Sequence, residues 1–154
     1  MSFLFEPFWG IVDRTQRREE GARAVVRCLK DWEQRVTVTS VQDIGRVLAR
    51  ILAGDVVARD RVVYVAGDTV SYGELAEIIE RASGKVVERE TWGTDVLEEE
   101  LRKDPENGIK KYRLVFARDG VWWDKEETVN EVLGMEMLDV ETYARKLFEE
   151  RQSR

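Results

Sequence analysis

The run Val36-Thr37-Val38-Thr39 alternates apolar and polar β-branched side chains, which predicts a strand. Ser40 follows as a helix N-cap, with Asp43 three positions on, where a carboxylate meets the positive end of a helix. Ile44, Val47, Leu48, Ile51 and Leu52 then recur at helical spacing until Gly54 ends the run. Within Arg61–Ala66 the residues Val62, Val63, Tyr64 and Val65 form a continuous apolar stretch, the mark of a strand covered on both faces. Ser71 and Glu74 make a capping box that opens a second helix. Leu75, Ile78, Ile79 and Ala82 are its buried stripe, and Gly84 closes it. A further strand is predicted over Lys85–Thr91. Strands and helices alternating at this spacing favour parallel pairing through right-handed crossovers.

The last third reads as helical. Thr94 caps a helix carrying Val96, Leu97 and Leu101, and Asp104-Pro105 ends it and starts the next. Ile109, Tyr112, Leu114, Val115 and Phe116 continue as far as Gly120, and Asp139 caps a last helix with Val140, Tyr143, Ala144, Leu147 and Phe148 on one face. The expected fold is α/β in one domain over residues 1–154. It has a small parallel or mixed sheet with flanking helices, a helical C-terminal third and no Rossmann nucleotide-binding domain. Arg14 to Gly21 is the one stretch expected to be flexible.

Composition narrows the function classes. With 154 residues, 43% apolar and 36% charged, the chain is long enough to bury roughly 70% of its unfolded surface. A formal charge of −6 repels phosphate backbones and anionic lipid, so neither nucleic acid nor a membrane is an expected partner. Arg14, Arg17 and Arg18 are followed at once by Glu19 and Glu20, which reads as a solvated face. The apolar N-terminus lacks a positive n-region and is interrupted by Glu6 and Pro7, and Arg151–Arg154 matches no common sorting tail. A cytoplasmic protein is expected.

The missing residue types exclude more chemistry. There is no histidine, which removes serine triads, histidine acid–base catalysis and histidine-containing zinc sites. Cys28, the single cysteine, rules out an intrachain disulfide and structural zinc, and reads as a small buried filler. No GxGxxG or GxxxxGK loop is present, and Gly67-Asp68 reads as a turn. Consecutive carboxylates such as Glu98, Glu99 and Glu100 point in different directions on a helix and read as solvated. Tyr72 has Ala76, and no lysine, four residues on, so packing is its expected role. Aromatics are the informative feature. Phe3, Phe5, Phe8 and Trp9 crowd the start, and Trp122-Trp123 precede Asp124. They are either ordinary core or the lining of a flat apolar pocket in which Glu6 or Asp124 orients a polar group.

Three stretches taken together resemble the NmrA-like, isoflavone-reductase-like family, a group of atypical short-chain dehydrogenases, in its fungal form. They are Phe3-Leu4-Phe5-Glu6-Pro7-Phe8-Trp9-Gly10, Val36 to Arg46 (ending Ser40-Val41-Gln42-Asp43-Ile44-Gly45-Arg46) and Val65 to Ala76 (with Gly67-Asp68-Thr69-Val70-Ser71-Tyr72). Trp123-Asp124, Thr128 and Asn130 also look like that family's C-terminal region. The likeness covers only the family's C-terminal, substrate-side half. It implies that the Rossmann domain, its Gly-rich NAD(P) loop and the catalytic lysine or tyrosine are absent before Met1. No catalytic or cofactor residue carries over. NAD(P) is therefore expected only if a partner domain supplies it, and this chain alone is expected to bind no cofactor.

What the resemblance does imply is a substrate role for Phe3, Phe5, Phe8, Trp9 and Trp123; the catalytic candidates, Glu6 and Asp124, come from the residues alone. The resemblance also implies that the face turned to the nucleotide domain is apolar. That face calls for a homodimer or a separate protein partner. The leading reading is an oxidoreductase relative acting on a small apolar metabolite of secondary metabolism, its redox activity lost or dependent on a partner. A cofactor-independent cyclase, isomerase or dehydratase and a non-catalytic binding or regulatory protein are the alternatives.

Overall fold

The computed structural model describes residues 1–14 and 24–152. The basic–acidic cluster at Arg17, Arg18, Glu19 and Glu20, most of the stretch expected to be flexible, and the last two residues lie outside the described residues. In chain order the strands are β1 (Val12–Asp13), β2 (Ala24–Leu29), β3 (Arg35–Val38), β4 (Asp68–Ser71) and β5 (Val87–Trp92). The helices are α1 (Val41–Leu52), α2 (Tyr72–Ser83), α3 (Thr94–Lys103), α4 (Gly108–Phe116), α5 (Val129–Val132) and α6 (Val140–Gln152).

The core is built on β2, whose side chains are all buried except Arg27. β1 pairs with it antiparallel and β5 parallel, with Val26 opposite Arg89. A strand flanked on both edges and covered on both faces reads as a nearly continuous apolar run, and Ala24-Val25-Val26-Arg27-Cys28-Leu29 is one. The Cys28 thiol is fully buried and lies 3.5 Å from the Thr91 hydroxyl. Burial raises its pKa above the ordinary thiol value, against opposing hydrogen bonds. Helix α2 lies across β2 and β5 and is backed by α6. Its Ser71–Glu74 capping box forms as predicted, Leu75 and Ile79 are fully buried, and Gly84 closes it in the left-handed region at φ +64°. Burying each of those aliphatic side chains contributes roughly 2 kcal/mol.

Tyr72 opens α2 and is fully buried, and its hydroxyl has no hydrogen-bond partner among the described residues. Burial pushes the phenol far above its ordinary range. Leaving a buried hydroxyl unpaired costs about 1–3 kcal/mol, so Tyr72→Phe is expected to raise the unfolding free energy by about 1 kcal/mol. Urea unfolding checks this, and a less stable variant would contradict it.

Several local expectations need correction. The run within Arg61–Ala66 forms no strand, and Val62 and Tyr64 are exposed rather than covered. Side chains occupy its backbone in place of a neighbouring strand. Val65 O accepts from the Thr39 hydroxyl and the Trp123 indole, and Asn130 both donates to and accepts from Ala66. The strand that does form here is β4, and it pairs with β3 antiparallel, not parallel, with Val36 opposite Val70. The parallel pair is β2 with β5, so the sheet is mixed. Helix α3 is capped by Gly93, with Thr94 as its first residue, and the Asp95 side chain folds over the glycine. Helix α4 begins after Asn107, whose side chain accepts from Lys110 N, and Pro105 starts no helix. Asp139 does cap α6, accepting from Thr142 N at 2.6 Å. No helix among the described residues is long and apolar enough to cross a membrane.

Candidate functional site

The turn Ser2–Leu4 buries Leu4 and leaves Phe3 half-buried, where it stacks on Phe116 of α4 with ring centroids 4.8 Å apart. Trp9 stands edge-on to Phe3, Phe116 and Tyr112 at 5.5, 6.2 and 5.8 Å, and Phe8 adjoins it at 6.1 Å. Tyr112 and Phe116 lie four residues apart on one face of α4, which is why one helix offers both rings. These five side chains form an aromatic shelf whose outer members, Phe8 and Tyr112, are exposed.

Arg113 joins the shelf to a cleft. It donates from Nε to Trp9 O at 2.9 Å and from Nη2 to Phe8 O at 3.0 Å, and its guanidinium lies 4.5 Å from the centre of the Trp92 ring. Gly10 permits this approach. Its φ is +71°, and a β-carbon there would meet the Trp92 ring at 3.1 Å and Arg113 Nη2 at 3.2 Å. Arg27 lies 5.2 Å from the same ring, anchored by Glu90 at 2.6 Å. Burial, and then repulsion from Arg27, lowers the pKa of Arg113 against the pull of Glu100. Beside it Trp92, Val96, Leu97, Glu100, Lys110 and Arg113 line a cleft of about 210 Å³ between α3 and α4. It can hold a small ring against apolar walls with a charge at one end.

The aromatic residues singled out in the sequence divide among three places. Phe3, Phe8 and Trp9 gather on the shelf. Phe5 is turned into the core, 3% exposed, against Tyr143. Trp123 sits by the β3–β4 ribbon, its ring 5.3 Å from Tyr64 and its main-chain N–H on the Thr37 hydroxyl. Glu6 and Asp124 are both exposed, and Asp124 precedes the short turn Lys125–Glu127. Sequence reasoning did not pick out Trp92, Arg27 or Arg113. Of the shelf, Phe3, Phe8 and Trp9 were singled out in the sequence, and the spacing of Tyr112 and Phe116 is the signal for the other two rings.

A phosphate is held best at a free helix N-terminus behind a glycine turn; Ser40 and Asp43 occupy that of α1 and Ser71 and Glu74 that of α2, whereas α3 begins behind Gly93 with the Asp95 carboxylate folded over it. Gly67 is wedged between carbonyls, since a β-carbon there would lie 2.8 Å from Leu138 O and 3.0 Å from Val38 O. That is a packing position facing acceptor oxygens, which repel phosphate. Among the described residues no three His, Cys, Asp or Glu side chains converge for a metal.

A second surface stands apart from the cleft. In α1 only Asp43 and Val47 are buried, while Val41, Ile44, Leu48 and Leu52 are exposed, Leu52 to 79%. Asp43 holds the helix through Leu138 N at 2.9 Å, and Arg46 reaches Glu136 O at 2.8 Å. Next to its end Val57, Val62, Tyr64 and Val132, all exposed, help line an open depression of about 340 Å³. A twelve-residue helix is marginal without an apolar face to pack on, and most of this one faces outward.

No family model matches the chain. A curated protein from Gibberella moniliformis (strain M3125 / FGSC 7600), described as an NmrA-like family domain-containing oxidoreductase, is 35% identical over 145 residues. The match takes in 93% of this chain and 45% of that relative, so the chain spans less than half of the relative's length. Over these matched residues the chain is similar to an NmrA-like family protein.

Proposed function

We propose that this chain is the substrate-side portion of an NmrA-like oxidoreductase. The aromatic shelf and the Trp92–Arg113 cleft receive a small apolar metabolite of the kind made in secondary metabolism. The nicotinamide nucleotide belongs to a nucleotide-binding domain outside these 154 residues, and that domain docks on the exposed face of α1. The observation that carries this reading is the disproportion of the match, nearly all of this chain against less than half of an oxidoreductase. The outward apolar stripe of α1 supports the docking, because four large side chains in one row would otherwise stay in water. The side chains capping α1 and α2 support placing the dinucleotide elsewhere.

The test is to express the unmatched part of the Gibberella relative as a separate polypeptide and mix it with this chain. Sedimentation velocity is expected to show a one-to-one complex. NADPH should change tryptophan fluorescence in the mixture at micromolar concentration and not with this chain alone. Leu48→Glu combined with Leu52→Glu is expected to abolish the complex while leaving the circular dichroism of the chain intact. NADPH binding by this chain alone, or a complex indifferent to the double substitution, would refute the proposal.

A further inference from the structure

Resting on that reading of the cleft as the substrate end, and narrowing its metabolite to one that carries a single acid group on an otherwise apolar ring, we propose that the cleft between α3 and α4 takes a single-ring aromatic carboxylate whose acid group pairs with Arg113. The walls and the charge both point there. Trp92, Val96 and Leu97 supply apolar surface, and Leu97 is buried. A volume of about 210 Å³ is below that of clefts for larger ligands and suits one ring with a short substituent.

The charges facing the cleft are Glu100, Lys110 and Arg113. Glu100 lies 3.5 Å from both Lys103 and Lys110, and Lys110 is also 3.7 Å from Asp104, so these groups satisfy one another. Arg113 differs. Its hydrogen bonds go to two neutral carbonyls through Nε and Nη2, and among the described residues no carboxylate lies within 4.0 Å of it. The other cation over Trp92, Arg27, has both Glu90 and Asp13. A half-buried guanidinium with two carbonyls for fixed orientation and a second cation nearby lacks, among the described residues, a carboxylate in direct contact, since Glu100 pulls on it only from beyond 4.0 Å. A ligand carboxylate supplies that contact through charge-assisted hydrogen bonds, which are about twice as strong as neutral ones.

Benzoate and its neutral analogue benzamide test this on the full chain by calorimetric titration. Benzoate is expected to bind about tenfold more tightly than benzamide, and Arg113→Gln to remove that preference. Because Arg113 also ties down the Phe8–Trp9 backbone, its loss could unfold the loop, so a second readout is made on the unaltered chain. With ¹⁵N-labelled tryptophan, benzoate is expected to shift the Trp92 indole resonance, assigned by Trp92→Phe, and to leave Trp123 unmoved. Equal affinity for the two ligands would overturn the proposal and leave the cleft as a plain apolar site. So would a shift centred on Trp123, or no binding of either compound. The substrate-side reading is judged separately, by the association experiment above.

Discussion

Replacing Asp43 with alanine is expected to lower the unfolding free energy by about 3 kcal/mol at neutral pH. One carboxylate oxygen accepts from the Ser40 hydroxyl at 2.8 Å and from Leu138 N at 2.9 Å, and the other pairs with Arg46 at 2.8 Å. The Arg46 side chain is 53% exposed, so that pair adds only a fraction of the total. The larger part comes from the hydrogen bonds at the buried helix start and from the main-chain N–H left without its acceptor. The same contacts set the response to acid. Burial alone would raise the pKa of Asp43, but Leu138 N–H, Ser40 and Arg46 outweigh it and hold the group below its ordinary 3.8. A carboxyl depressed by folding contributes stability that is full above the unfolded pKa and is lost as the pH falls through the lower folded value. The wild-type chain should therefore lose stability below about pH 4 more steeply than Asp43→Asn does. Urea unfolding followed from neutral pH to pH ~3 reads both effects, and parallel acid limbs would disprove the linkage.

Asn130→Ala is expected to cost about 3 kcal/mol as well, by a different route. The Asn130 side chain accepts from Ala66 N at 3.0 Å and donates to Ala66 O at 3.1 Å, and both residues are fully buried. The amide thus takes the place of a neighbouring strand for the stretch before Gly67. Without it two main-chain groups are stranded away from water. Asn130→Asp separates the two bonds, because an ionised carboxylate can accept from Ala66 N but cannot donate to Ala66 O. At neutral pH this variant should be at least as damaged as the alanine variant, and acid should partly restore it by returning a donor. Urea unfolding with amide exchange at Ala66 measures both. Stability within about 0.5 kcal/mol of wild type would show that the pairing is not structural.

How much of this was legible follows from how local each cause is. The Ser40 and Ser71 caps, the stripe of α2 and the Asp139 start of α6 depend on residues three or four apart, and all were read correctly. The run at Arg61–Ala66 was misread because an apolar stretch does not say what will pair with its backbone. Here the partners are Asn130, Trp123 and Thr39. The parallel pairing expected of β3 failed for a related reason, since its partner β4 is short and runs straight into the Ser71 cap. Helix α1 was legible as amphipathic, but periodicity gives a stripe without saying whether the protein or the solvent lies beside it.

For the site, the crowding of Phe3, Phe8 and Trp9 was visible as composition. Trp92 and Arg113 were not, because the contact between them joins residues 21 positions apart that carry no motif. Arg113 reaches Phe8 and Trp9 across 105 and 104 positions.

The middle strand carries one more consequence. Its Cys28 is fully enclosed, is the sole thiol of the chain and is held protonated by its surroundings. A thiol reagent reaches it only when the packing over β2 opens. The chain thus carries its own clock: the rate of alkylation of the unmodified protein counts how often its centre comes apart.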